Sequence, residues 1–233
     1  MYRSVLALLF TAVLLLSGCA AGQQTVPKEK SGQETNMDGL AFDRSDEEIT
    51  YMDAKDNVIY LAGGCFWGTE KYMQGVDGVL ETRVGYALGE KPLWNPPLKE
   101  SVTYEEVCNH SGHAEAVEVV FDAEKISLTE ILREYCYTID PTSLGRQGMD
   151  IGIQYRTGIY SLTEKQRQTA QAFLDTLQKD YKQPIMIENL PLRQFIQAET
   201  YHQKYLEKNP NGYCHINFEK IAAQKAAKAE KQD

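Results

Sequence analysis

Val58-Ile59-Tyr60-Leu61-Ala62-Gly63-Gly64-Cys65-Phe66-Trp67-Gly68-Thr69-Glu70 passes from an apolar run, through two glycines, to a cysteine followed by two aromatic rings. Residues 58–62 read as a buried strand. The glycine pair permits a tight turn, and residues 66–74 read as a short helix stopped at Gly75. Cys65 then stands at a helix N-terminus, beside backbone N–H groups without intrahelical partners and the positive end of the helix dipole. That setting predicts a lowered thiol pKa and a larger thiolate fraction. The same stretch also fits a buried structural cysteine between core aromatics, because free cysteine is among the most buried residue types.

Further strands are expected over residues 79–86, 115–121 and 155–160. Ser127-Leu128-Thr129-Glu130 is a capping box, followed by the helical stripe Leu128, Ile131, Leu132, Tyr135 and Ile139. Ser161-Leu162-Thr163-Glu164 reads as a second box, opening a helix with Ala170, Phe173, Leu174 and Leu177 on one face. The order β-α-β-β-α-β predicts an α+β fold: a two-layer α/β sandwich on a ferredoxin-like core, with additional C-terminal helices and coil.

Residues 1–18 carry one charge, Arg3, and a largely apolar, charge-free run over 5–16. That length suits the core of a signal peptide and is too short for an ordinary membrane-spanning helix. The run ends in Leu16-Ser17-Gly18-Cys19, which resembles a bacterial lipoprotein cleavage site, with Cys19 as the lipidated N-terminus. Lipid anchors a chain by burying methylenes, at about 0.8 kcal/mol each. The alternative is a plain secretory signal in which Cys19 plays no part. Residues 19–50 read as a disordered polar linker, 51–220 as one domain with room for a proper core, and 221–233 as a charged tail without assigned function. The chain has 24 Lys+Arg against 33 Asp+Glu. Removing residues 1–18 takes away Arg3 and no acid, so the net charge moves from −9 to −10. A domain this acidic is a poor match to nucleic acid.

Gly63-Gly64-Cys65-Phe66-Trp67-Gly68-Thr69-Glu70 resembles the active-site segment of the type A peptide methionine sulfoxide reductases. Tyr104-Glu105-Glu106-Val107-Cys108, Ser111-Gly112-His113-Ala114-Glu115, Gln147-Gly148-Met149-Asp150, Gln154-Tyr155-Arg156 and Tyr201-His202-Gln203-Lys204-Tyr205-Leu206 resemble that family in the same order. The resemblance spans roughly residues 56 to 215. It implies thiol-dependent reduction of methionine-S-sulfoxide in a two-layer α/β fold, without a prosthetic group. Cys65 is then the nucleophile, Phe66 and Trp67 the apolar wall for the substrate methyl, and Glu115 the acid that protonates the departing oxygen. Tyr104 and Tyr155 match the hydroxyls that hold this oxygen, and Asp150 a supporting carboxylate. A carboxyl that donates a proton near pH 7 needs a raised pKa, usually through burial.

Cys214 follows Asn209-Pro210-Asn211-Gly212-Tyr213, a loop sequence able to swing, and pairs with Cys65 as the resolving thiol. The expected cycle forms a sulfenic acid, then a disulfide, which a thioredoxin-like partner reduces. Outside the cytoplasm, Cys65, Cys108, Cys136 and Cys214 can instead form two structural disulfides. Cys108 and Cys136 read as buried small hydrophobes, and His113 as structural. Four histidines and no Cys-x-x-Cys pair argue against a metal site. Glu70 shares the cysteine's helix and is a weaker candidate for the site. The chain departs from the family's pattern by the extra residues 98–102 before Tyr104, by Met149 in place of Asn and by Ile153 in place of Thr. Met149 and Ile153 are expected to make the pocket rim more apolar. Two rival readings are a thiol peroxidase or disulfide oxidoreductase, which lacks a Cys-x-x-Cys, and a lipoprotein that binds oxidised or methionine-rich peptides without turnover.

Overall fold

The computed structural model describes residues 55–91, 93 and 95–230. The expected leader, Cys19 and the segment 19–50 lie outside the described residues. Strand β1 (Val58–Gly63) leads into α1 (Phe66–Met73), β2 (Val79–Gly89), the short α2 (Tyr104–Cys108) and β3 (Ala114–Phe121). Next come α3 (Leu128–Cys136), the two-residue strands β4 (Arg146–Gln147) and β5 (Asp150–Ile151), β6 (Thr157–Ser161) and α4 (Glu164–Leu177). Strand β7 (Glu188–Gln197), α5 (Tyr205–Lys208) and α6 (Phe218–Ala229) complete the chain.

β1 lies between β3 and β6, and β3 between β1 and β2, all antiparallel. The order β6-β1-β3-β2 is that of a ferredoxin-like sheet, as the sequence pattern predicts. Strand β7 then pairs antiparallel with β2 and parallel with β6, closing the sheet into a five-stranded ring. The sequence reading assigns no element to β7, because Pro191, Arg193 and Gln194 interrupt its apolar pattern. Closure removes both sheet edges and buries both faces of the central strands.

Along β1 the side chains alternate. Ile59 and Leu61 pack with Phe66, Ile131, Leu132 and Ala170, while Val58, Tyr60 and Ala62 pack with Ala116 and Tyr160. Burying one such aliphatic side chain contributes about 1.5–3 kcal/mol. The same alternation on β3 puts Glu115 in phase with Val117 and Val119, which pack in the cluster that holds Phe66.

The capping box at Ser127 and Glu130 forms as expected. The second box shifts by two residues: Thr163 and Gln166 cap α4, while Ser161 is held in β6 opposite Pro191. The expected strand over 155–160 begins later, because Ile153–Tyr155 forms a 3-10 turn that turns Tyr155 out of the ladder. The extra residues before Tyr104 are tied down. The Lys99 carbonyl accepts from Gln194 at 2.7 Å, the Pro96 carbonyl accepts from Arg193, and Val102 is buried in the core. Helix α6 docks through buried Ile221, through Phe218 stacked on Tyr72, and through Lys225, whose Nζ lies 2.8 Å from Glu134.

Candidate active site

Cys65 is the N-cap of α1, placed by Gly64 at a φ of +80°, a backbone that other residues rarely adopt. A Cβ on Gly64 would also stand 2.6 Å from Gln147 Cβ. The next amide, Phe66 N–H, donates to Glu115 Oε2 at 3.0 Å. Helix start and β3 carboxyl thus share one contact. Glu115 is buried, and burial, aided by the Asp150 charge, pushes its pKa up to about 8 against the pull of the Phe66 N–H.

The thiol corrects an expectation. Burial pushes the Cys65 thiol far above its ordinary value, with Glu115, when ionised, and the Asp150 charge adding to the effect. The Trp67 N–H pulls the other way and is outweighed. A helix N-terminus favours thiolate only where the sulfur stays solvated, and Cys65 is buried. The resting pair is a thiol beside a largely protonated carboxyl.

Tyr104 opens α2 behind a capping box of Thr103 and Glu106, and its hydroxyl lies 3.2 Å from that of Tyr155. Burial raises both phenol pKa values, so both remain donors. Glu199 sets Tyr104 in place: one carboxylate oxygen accepts its amide at 2.9 Å, and the other accepts the Tyr86 hydroxyl at 2.6 Å. Phe66 is buried, with its ring edge-on to His202. Trp67 stacks on Tyr205 at 3.7 Å between centroids and donates its indole N–H to His202 Nδ1 at 3.1 Å. Burial holds His202 down to about 4, so it is the neutral acceptor this bond requires.

Asp150 accepts the Tyr213 hydroxyl at 3.0 Å. Cys214 lies over the first turn of α1, since a Cβ on Gly68 would come within 3.0 Å of its sulfur. The four described cysteines form no disulfide with one another. Cys108 and Cys136 are only half-buried, not fully buried as expected, because each closes a short helix at its outer end. Met149 is 82% exposed and Ile153 42%, so both present apolar surface to solvent beside Asp150. A cavity of about 1400 Å³ opens near His215, Phe173 and Ile221, but neither Cys65 nor Glu115 lines it. Among the described residues no group of three His, Cys, Asp or Glu side chains could hold a metal ion.

The segment following β7 carries residues to which the sequence reading gave no task, although the matched block Tyr201 to Leu206 pointed at it. Gln203 accepts the Val84 amide at 3.0 Å and donates to the Val84 carbonyl at 2.8 Å. Glu70 is buried, and its Oε2 accepts the amide of Lys204, a left-handed residue, at 2.9 Å. Its hydrogen bonds therefore go to the scaffold behind Trp67. Burial raises the Glu70 pKa to about 7. The folded state thus holds a proton that the unfolded chain releases near 4.5, and the stability cost grows as pH rises from there to about 7. Glu70→Gln is expected to gain stability relative to the parent between pH 5 and 8, as read by urea denaturation at both values.

A thiol at a helix start, a buried carboxyl that keeps its proton, and paired hydroxyls beside an aromatic wall define a thiol-based reductase of an oxygen-bearing group. The family model for peptide methionine sulfoxide reductase matches residues 57–233. The MsrA of Lachnoclostridium phytofermentans is 52% identical over 162 residues, covering 69% of this chain and 93% of that protein. An MsrA of Clostridium botulinum is 50% identical over 162 residues, covering 69% and 98%. In structure, the chain is similar to reduced Mxr1 from Saccharomyces cerevisiae, with a TM-score of 0.63, 36% identity, and coverage of 70% of this chain and 92% of that one. The chain belongs to the peptide methionine sulfoxide reductase family, and within it to the type A enzymes.

Proposed function

We propose that this reductase converts methionine-S-sulfoxide to methionine with Cys65 as nucleophile, Glu115 as proton donor and Cys214 as resolving thiol. The observation that carries this reading is the 3.0 Å bond from the Phe66 amide to Glu115, which joins the thiol's turn to a carboxyl that titrates near 8. Glu115 gives its proton to the sulfoxide oxygen, which makes the substrate sulfur electrophilic. The Cys65 sulfur attacks, and its own proton replaces the one Glu115 lost. The oxygen ends on Cys65 as a sulfenic acid and methionine leaves. The neutral resting pair suits this order, because both protons are in place before the substrate arrives. Tyr104 and Tyr155 donate to the oxygen, Phe66 and Trp67 hold the methyl, and Asp150 supports the arrangement.

Cys214 then condenses with the sulfenic acid to give a disulfide. A thioredoxin-like dithiol reduces it by exchange, for which Tyr213, 48% exposed, leaves an approach next to Cys214. No prosthetic group enters the cycle. Gly68→Ala would set a methyl 3.0 Å from the Cys214 sulfur. Disulfide formation is expected to slow while the first methionine is still released, as read by thiol titration against methionine count.

The membrane anchor is part of the same proposal. Its support is Leu16-Ser17-Gly18-Cys19, with residues 20–50 as a polar spacer ahead of a family match that starts at residue 57. The enzyme then repairs extracytoplasmic proteins from a lipid anchor at Cys19. Intact-mass measurement of the native protein is expected to show a diacylglyceryl cysteine at its N-terminus, and Cys19→Ala to abolish it. An unmodified N-terminus in the parent would remove the anchor from the account.

A further inference from the structure

Arg156 ends the stretch Gln154-Tyr155-Arg156, and the sulfoxide cycle gives it no task. Its side chain is only 10% exposed, and its guanidinium reaches three separate parts of the chain. Nη1 donates to the Ile153 carbonyl at 2.9 Å, inside the 3-10 turn that carries Tyr155. Nη2 donates to the Gly112 carbonyl at 3.1 Å, in the loop that leads into β3 and Glu115. Nε donates to Glu188 Oε2 at 2.9 Å, at the start of β7. Glu188 has two further donors, the Tyr160 hydroxyl at 2.9 Å and Lys91 Nζ, which lies 2.6 Å from Oε1. Strand β6 begins at Thr157 and β3 at Ala114, so strand pairing fixes neither Tyr155 nor Gly112.

We propose that Arg156 is a positioning residue for the sulfoxide step, holding the Tyr155 hydroxyl in register with the Glu115 carboxyl. This rests on Tyr155 donating to the sulfoxide oxygen and Glu115 protonating it. That oxygen must lie within reach of both groups at once, and a misplacement of about 1 Å costs on the order of 10²-fold in rate. A guanidinium presents its N–H groups in a rigid planar fork, so one side chain serves two carbonyls and a carboxylate in fixed directions. A buried ion pair is by itself weak evidence for a stabilising role. Here two of the three acceptors are main-chain carbonyls of the loops that carry the reacting groups, and the carboxylate orients the fork toward them. The closing strand β7 thereby takes part in the site through its first residue. The aromatic wall is held by other contacts, Trp67 on Tyr205 and on His202, so peptide binding does not depend on Arg156.

The test follows single turnovers of reduced full-length protein on a methionine sulfoxide peptide by quench-flow, which gives a maximal rate and a half-saturating concentration. Arg156→Lys keeps a cation beside Glu188 but loses the fork. It is expected to lower the maximal rate about 10–100-fold and to leave half-saturation within about twofold of the parent. Tyr155→Phe should slow the parent yet add little to Arg156→Lys, because both variants disturb one contact. Lys91→Met is the control for the ion cluster: it removes the cation on the other oxygen of Glu188, leaves both carbonyl contacts, and should turn over at the parent rate. Urea midpoints report the fold of each variant. Should Arg156→Lys unfold, Glu188→Gln loosens only the anchor of the fork and should lower the same maximal rate severalfold. A parental rate in the folded Arg156→Lys or Glu188→Gln variant, while Tyr155→Phe is slow, would overturn the positioning role and leave that of Tyr155 standing. Effects of Arg156→Lys and Tyr155→Phe that simply multiply, or a slow Lys91→Met, would overturn it as well. A parental rate in Tyr155→Phe would remove the donor role of that hydroxyl and this inference with it.

Discussion

Cys65→Ser is expected to release no methionine from a sulfoxide peptide, whereas Cys214→Ser releases about one per chain and then stops. The difference follows from the separate tasks of the two sulfurs. A hydroxyl at position 65 is a far weaker nucleophile than sulfur and cannot take the oxygen. Sulfenic-acid formation at Cys65 needs no second thiol, so the Cys214 variant completes one turnover. It then holds Cys65 oxidised, open to a sulfenic-acid reagent, and thioredoxin cannot recycle it because no disulfide exists to exchange. A small dithiol should restore part of the turnover by attacking the sulfenic acid directly. Stalling by Cys108→Ser or Cys136→Ser, with normal recycling in Cys214→Ser, would mean that another thiol resolves the intermediate.

Glu115→Gln is expected to slow the sulfoxide step by roughly 10²–10⁴-fold, the range for a lost general acid. The amide keeps an oxygen to accept the Phe66 N–H, so the turn holding Cys65 should survive. The sign of the pH dependence follows from the same group. Glu115 carries its proton below about 8 and loses it above, where its charge also raises the neighbouring thiol's pKa. The parent's single-turnover rate should therefore fall as pH rises through that value, while Glu115→Gln stays slow without that inflection. A near-parental rate in the variant would mean that another group, such as the Tyr104 or Tyr155 hydroxyl, protonates the oxygen.

What was legible in the sequence was local. Residues 58–70 declare a strand, a turn and a helix because the apolar run, the glycine pair and the aromatic start are adjacent. The ferredoxin-like strand order followed from the succession of elements. Strand β7 did not, since its pairing depends on two partners distant in sequence and its own pattern is broken by Pro191. The cap of α4 shows tertiary structure overriding a local signal: Ser161 with Glu164 reads as the box, but strand pairing holds Ser161 in β6, and Thr163 with Gln166 caps the helix instead. The Cys65 thiol went the other way from the local rule because burial, a property of the closed core, outweighs the helix start. The family resemblance named Cys65, Glu115, Tyr104 and Tyr155, and the structure brings the Cys65 turn to Glu115 and the two phenols to each other. Of the residues that tether them, His202 and Gln203 lay inside a matched block that gave them no task, and Glu199 had no sequence signal beyond its proximity to that block.

The most direct test is the count of methionine released by reduced parent protein, without reductant, from a peptide carrying a single resolved sulfoxide epimer. The account predicts about one methionine per chain from the S epimer and none from the R epimer, with Cys65 and Cys214 recovered as one disulfide-linked peptide pair. Release from the R epimer instead, or no release while the peptide stays bound, would contradict it.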